Sequence, residues 1–326
     1  MNKVLSGSAA GKRRALMIAT GLGFLAYLGA ALFTDTAKLT QALLQLGWIG
    51  GGAVLSLSLL NYWLRFARWQ LYMTGLGHRL PAAAHFLAYL SGFALTVSPA
   101  KAGEAVRSLY LHEHGVPHAE TIAAVFVERL LDLLAVVVLA GLIVLEQRTY
   151  WPVLIGVSGF ALLLLLIAGH PALPARLQTL ALRYPGVAHR PLRTVARLLD
   201  TARRLLQPKL LLLGFVIGLM SWAAEGVGFH LICRSLGCNL DLAVDVGIYG
   251  VAVVAGCAAF FMPAGIGGME VVMTGLLVGH GSSLPVALIA TLLCRLATLW
   301  FAVLIGLAAT AILESSPRLR PIRTLP

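Results

Sequence analysis

Charge is scarce in this chain: Asp, Glu, Lys and Arg make up 12% of its 326 residues, and the acids number 13. With 59% hydrophobic residues and a mean hydropathy of +0.87, that scarcity excludes a soluble globular domain and leaves a polytopic helical membrane protein. Cysteine is nearly as rare, with four residues. Cys257 and Cys294 lie in apolar runs, while Cys233 and Cys238 flank a predicted helix end. The spacing is neither a zinc ribbon nor a Cys-x-x-Cys redox motif, so buried small hydrophobes are expected, with Cys233 and Cys238 able to oxidise together if they face outward. Nucleotide and catalytic signatures are missing as well. There is no Gly-x4-Gly-Lys-Ser/Thr, no His-Glu-x-x-His and no Gly-x-Ser-x-Gly, so ATP drive, a zinc hydrolase helix and a nucleophile elbow are not expected. His112, His114 and His118 are too loosely spaced around Glu113 for a closed zinc set. No cofactor and no metal are expected.

The net charge of +12 does not point to nucleic acid, because the excess sits in segments flanking apolar spans, where positive-inside bias and anionic lipid account for it. Runs long enough to span cover residues 15–33, 48–72, 119–145, 151–168, 209–233 and 285–313. The first follows Lys3, Lys12, Arg13 and Arg14 and reads as a retained helix rather than a signal peptide. Tyr27, Tyr62, Trp63, Trp69, Tyr72, Tyr150, Trp151 and Trp300 near the span ends read as interfacial belt residues.

Two further runs, 83–98 and 244–262, end in Pro- and Gly-rich breaks and continue as short pieces, 103–112 and 268–279. The breaks are Ser98-Pro99-Ala100-Lys101-Ala102-Gly103-Glu104 and Met262-Pro263-Ala264-Gly265-Ile266-Gly267-Gly268-Met269-Glu270. Each frees backbone groups that lipid cannot satisfy, so each must lie in protein or line a cavity. The expected fold is therefore all-α, with about six transmembrane helices plus two re-entrant hairpins. If helices restart near Gly103 and Gly268, their amide ends favour a phosphate or carboxylate, and Glu104 and Glu270 either cap them or bind a ligand.

The breaks belong to a repeat. A shift of 166 residues pairs Arg68 with Arg234, Glu104 with Glu270 and Arg129 with Arg295. Repeat 1 covers about 48–145 and repeat 2 about 209–313 of a single membrane domain spanning 1–326, joined by a basic amphipathic segment over 171–208. Arginines crowd that segment and the C-terminal tail, which makes both termini cytoplasmic. Arg65, Arg68 and Arg79 then fall inside and Arg234, Asp241 and Asp245 outside, so the two hairpins enter from opposite faces and the repeat is inverted.

An ionisable group at the centre of a span costs about 2.5–3.5 kcal/mol on insertion scales, yet several occur here. Glu128, Arg129 and Asp132 share neighbouring faces of one helix, Arg65 and Arg68 are one turn apart, and Glu225 and Arg295 stand in apolar surroundings. Pairing that locks the bundle and a functional lining both fit this pattern.

The ordered set Arg65-Phe66-Ala67-Arg68-Trp69, Pro99-x-x-x-Gly103-Glu104-x-x-Arg107, Glu128-Arg129-x-x-Asp132 and Pro263-x-Gly265-x-Gly267-Gly268-x-Glu270 resembles the lysylphosphatidylglycerol synthase transmembrane, or flippase-like, family over residues 15–313. Larger members join such a bundle to a soluble aminoacyl-transferase domain and move aminoacylated phosphatidylglycerol to the outer leaflet. This chain ends soon after its last span, so synthase activity is not expected. The resemblance implies lipid handling, with membrane lipids and lipid-biosynthesis enzymes as partners, in a bacterial inner membrane. On that reading Arg65, Arg68, Arg107, Arg129 and Arg295 attract phosphate, while Glu104, Glu128, Asp132, Glu225 and Glu270 balance them or bind an amine or sugar. Pro99, Gly103, Pro263, Gly265 and Gly268 shape the breaks. The alternatives are an intramembrane lipid-modifying enzyme, such as a lipid-linked glycosyltransferase, and an ion-coupled small-solute transporter.

Overall fold

The computed structural model describes residues 36–96, 107–144, 151–184, 189–258 and 267–315, which form helices and connecting turns with no strand among them. In chain order these are α1 (Thr36–Gly75), α2 (Ala82–Ser91, prolonged by a 3-10 turn, Gly92–Leu95), α3 (Arg107–His112), α4 (His118–Val144), α5 (Trp151–Gly169), α6 (Leu173–Arg183), α7 (His189–Leu205), α8 (Pro208–Ser235), α9 (Leu242–Ala258), α10 (Gly268–Gly279), α11 (Leu284–Arg295) and α12 (Phe301–Ser315). A π-helical turn over Leu296–Trp300 joins the last two. The expected span 15–33 and most of both breaks, including Pro99, Gly103, Glu104, Pro263 and Gly265, lie outside the described residues.

Among the described residues, three helical stretches are long and apolar enough to cross a membrane: Leu39–Gly75, Pro208–Ser235 and Leu284–Ser315. A fourth arises if Leu154–Gly169 and Leu173–Arg183, bent by 64°, count as one span. α4, with 27 residues, reaches roughly 40 Å, and Glu128, Arg129 and Asp132 lower its hydropathy. α5 turns Ile155, Phe160 and Leu166 outward, which costs nothing against lipid.

Four helices end alike, and these ends reveal the repeat. After α1, the Gly77 amide bonds Thr74 O and the His78 amide bonds Met73 O. The same pair of bonds closes α3 at Gly115 and Val116, α8 at Gly237 and Cys238, and α10 at Gly281 and Ser282. Each glycine has φ between 81° and 94°, the left-handed conformation that this closure requires and that a Cβ disfavours. Gly77 and Gly237 lie 160 residues apart, as do the starts of α2 and α9; Gly115 and Gly281 lie 166 apart, as do the starts of α4 and α11. The register thus shifts by six across the break, and a single shift of 166 misplaces the helix before it. Arg68 corresponds to Gly228, while Arg234 sits exposed near the end of α8.

The two halves are related by inversion. α1 and α8 run antiparallel: the Asn61 amide donates to Ser221 O at 2.8 Å, and these residues occupy the same place in each half. On either side, Val54 lies near Gly228 and Arg68 reaches Gly214 O, contacts that a two-fold axis through Asn61 and Ser221 exchanges. Helices equivalent by repeat but opposite in direction define an inverted repeat. The hairpin arms are also exchanged, α9 packing on α4 and α2 on α12.

The exchanged contacts are close. A Cβ at Gly250 would lie 2.5 Å from the Ala140 amide nitrogen, and one at Gly306 would lie 2.1 Å from that of Ala94, whereas a Cβ at Gly275 would meet nothing within 4 Å. Gly250→Ala and Gly306→Ala should each destabilise the protein by about 1–3 kcal/mol through forced separation of backbones. Gly275→Ala should be neutral or stabilising by up to about 1 kcal/mol. Thermal unfolding in detergent tests this, and equal melting temperatures for the three would contradict the packing.

Candidate functional site

α1 and α4 build the first part of the site. Arg65 and Arg68 fall one turn apart on α1 and meet the face of α4 that carries Glu128, Arg129 and Asp132. Asp132 is the hub: its carboxylate receives Arg68 Nη2 at 2.7 Å, Arg129 Nη2 at 3.2 Å and Arg65 Nη2 at 3.5 Å. Glu128 receives Arg107 Nη1 at 3.0 Å and lies 3.7 Å from Arg68. The Arg107 guanidinium lies between the Trp69 and Tyr89 rings, 4.7 and 4.4 Å from their centroids, a desolvated cation–π arrangement. Arg65 sits 5.7 Å from both Phe93 and Trp222. Glycine on α8 makes room for these groups: a Cβ at Gly218 would come within 2.6 Å of Arg68 Nη1, and one at Gly214 within 2.2 Å of the Tyr72 hydroxyl.

The second half supplies a smaller set. Arg295 Nε bonds Glu270 Oε1 at 2.7 Å, and Glu270 Oε2 accepts the Gly267 amide at 2.7 Å. Glu270 therefore caps the helix that begins at Gly268, the first of the two roles expected of it, and also holds Arg295. Glu225 accepts a short hydrogen bond from the Tyr249 hydroxyl.

Both sets border one cavity of about 310 Å³. Its lining obeys the repeat. Tyr62 and Trp222, Arg65 and Glu225, Phe93 and Val253, and Thr96 and Gly256 are 160 apart; Arg129 and Arg295, Asp132 and Thr298, Leu133 and Leu299, and Val136 and Ala302 are 166 apart. All lining residues except Tyr249, Cys257 and Met269 fall into such pairs. The cavity thus lies on the pseudo-two-fold axis. Its charges do not share that symmetry, because Arg65 faces an equivalent position held by Glu225. Among the described residues, half one contributes four arginines (65, 68, 107 and 129) against Glu128 and Asp132, and half two contributes Arg295 against Glu225 and Glu270. Along the lining itself the first half presents Arg65 and Arg129 against Asp132, and the second presents Arg295 against Glu225, so the first wall is the more basic and the second is balanced.

Of the charged positions singled out in the sequence, Arg65, Arg129, Asp132, Glu225 and Arg295 line the cavity. Glu270 sits behind Arg295, while Arg68, Arg107 and Glu128 form a buried layer behind Asp132. The aromatic residues were misjudged. Trp63 and Trp151 are exposed as belt residues should be, but Tyr62, Trp69, Tyr72 and Trp300 are buried. Trp69 is there as a π face for the Arg107 guanidinium, while Tyr62 packs on Phe93 and Trp300 sits in an apolar cluster with Leu299 and Val303. Tyr249, Gly214 and Gly218 went unnoticed; a glycine opposite a buried arginine becomes informative only once the α1–α8 pairing is known. His118 bonds Ser108 Oγ at 2.6 Å and stacks on His112 at 4.0 Å, a local packing of rings.

The chain matches the family described as Lysylphosphatidylglycerol synthase TM region over residues 15–306 and belongs to it. No curated protein matches the chain at a significant level. Membership makes this a multi-pass membrane protein related to lipid handling.

Removing the hub exposes the cost of its neighbours. Asp132→Asn leaves Arg65, Arg68 and Arg129 without the carboxylate they share, and breaking a buried ion pair from one side costs about 3–5 kcal/mol. Asp200→Asn removes only an exposed partner of Arg203 at 3.8 Å and should change stability by less than about 1 kcal/mol. Chemical or thermal unfolding in detergent distinguishes the two, and a mild effect at Asp132 would contradict its central place.

Proposed function

We propose that the protein carries the polar head group of a lipid through the cavity on its pseudo-two-fold axis while the acyl or polyprenyl tails stay in the bilayer. The observation that carries this reading is the cavity's composition: three arginines and two carboxylates border a mainly apolar chamber assembled from both inverted halves. A head group stranded in hydrocarbon loses its water, and fixed polar groups that replace that water lower the barrier to crossing. The basic wall around Arg65 and Arg129 suits a phosphate through bidentate guanidinium bonds, and Glu225 suits an amine or a sugar hydroxyl. On this reading the membrane is a bacterial inner membrane, the basic α6–α7 segment and both termini lie on its cytoplasmic side, and the partners are membrane lipids and the enzymes that make them.

Reconstitution tests the reading. Liposomes containing purified protein and trace fluorescent phospholipids or glycolipids should expose inner-leaflet label to a membrane-impermeant quencher faster than empty liposomes. Arg65→Gln or Glu225→Gln should slow that exposure roughly tenfold to a hundredfold, the worth of one charged hydrogen bond of ~1.5–3 kcal/mol. Unchanged rates for every lipid class would sink the proposal. Cys257 is exposed and lines the cavity, so its alkylation should slow when a transported lipid is present.

A further inference from the structure

The turn after α8 holds the pair Cys233 and Cys238, away from the cavity. The Gly237 amide bonds Arg234 O at 3.2 Å and the Cys238 amide bonds Cys233 O at 2.9 Å. This closure brings the side chains of its first and last residues into contact, a place usually filled by two apolar groups. The other three turns of this kind in the described residues carry Met73 with His78, Leu111 with Val116, and Leu277 with Ser282 at those positions. Only here are both residues cysteine, and each thiol affects the other's proton. The neighbouring turn is also near, since Ser282 Oγ donates to Cys238 Sγ at 3.4 Å.

Both cysteines are buried, Cys233 at 0% and Cys238 at 5% exposure, so Cys238, the less enclosed and set in the turn, is the member an oxidant reaches when the turn opens. The neighbouring Cys233 thiol and the Ser282 hydroxyl favour the Cys238 thiolate and hold the group down to about 6, against the opposing effects of burial and of Asp245. Asp245 itself is bonded to His230 at 2.7 Å. A thiolate near neutral pH is an effective attacking group, since reactivity rises with thiolate fraction. The pair also sits at a defined end of the molecule. α8 starts at Pro208, directly after the arginine-bearing end of α7, and crosses to this turn, so the cysteines lie on the face opposite the basic segment. By the positive-inside rule that face is the outer one, where disulfides form and persist.

We infer that Cys233 and Cys238 form a thiol–disulfide exchange site that reacts with a disulfide-bearing oxidant on the outer face of the membrane. The Cys238 thiolate attacks one sulfur of the incoming disulfide, forming a mixed disulfide and releasing the other half as a thiolate. The Cys233 sulfur then attacks Cys238 Sγ, and the remaining half leaves as a thiol carrying the Cys233 proton. Two electrons pass from the protein pair to the oxidant, whose single disulfide becomes one thiolate and one thiol. The new bond staples the last turn of α8, the helix that carries Glu225, to the glycine turn that follows it.

The test uses the full chain in detergent, first reduced and then incubated with oxidised glutathione alone or with an oxidised thioredoxin-fold oxidoreductase. Peptide mapping under non-reducing conditions should find Cys233 linked to Cys238, with Cys257 and Cys294 still alkylatable. Closure by glutathione alone makes a small disulfide a sufficient oxidant, and closure only with the added protein assigns a protein oxidant; either supports the site. Cys233→Ser should trap the oxidant on Cys238, whereas Cys238→Ser should leave Cys233 unmodified. Both thiols remaining free under both oxidants in the unsubstituted protein would overturn the inference without bearing on lipid transport.

Discussion

One carboxylate at the centre of α4 governs this structure. Asp132 is shared by three guanidinium groups at once, with Glu128 as a second carboxylate for Arg68, and removing it leaves buried cations short of a partner in a low-dielectric interior. Much of the architecture follows from that need. α8 carries glycine at 214 and 218 because Arg68 and Tyr72 occupy the space that side chains there would fill. α3 is tied to the span by Arg107 and Glu128, a pair that the same cluster completes through Arg68. Aromatic rings collect around Arg65 and Arg107 because they are the apolar surfaces that lose least by touching a cation.

The second constraint is symmetry. Inversion of one helical unit against another places equivalent residues around a common axis, and the cavity forms where the two units cannot fill the space between them. Its mouth and walls therefore alternate between halves along the whole lining. Such a chamber needs contributions from both units, which explains how each half can bring a broken hairpin and packs it on the other half's span. α9 against α4 and α2 against α12 are the same contact made twice, each permitted by a glycine where backbones nearly touch.

Much of this was legible in the sequence, and the misses have physical reasons. Composition and the apolar runs fixed the class and the helices, since a bilayer demands length and hydropathy that few soluble segments share. Rare charges in apolar runs identified Arg65, Arg129, Asp132, Glu225 and Arg295, because burial of charge is costly enough to be kept for a reason. The register of the repeat was harder. Arg129 and Arg295 gave the correct shift for the region after the break, but Arg68 and Arg234 agreed with it by coincidence, and only the left-handed glycines at helix ends exposed the six-residue difference. Aromatic residues misled because Tyr62 and Trp63 are adjacent in sequence and opposite in fate: neighbours on a helix point about 100° apart, so one faces the cavity and the other faces lipid.

The fold is symmetric about its axis, but like charge placed there on both halves has to be compensated. Arg65 and its counterpart approach the same space from opposite sides, and two arginines there would repel across a few ångströms of poorly screened interior. Glu225 at the second position turns that repulsion into attraction. Arg129 and Arg295 escape the same conflict differently, each keeping its arginine and acquiring a carboxylate from its own half, Asp132 through α4 and Glu270 through the restarted helix. The halves therefore diverge at one charged pair of the lining, Arg65 with Glu225, and agree at the other, Arg129 with Arg295.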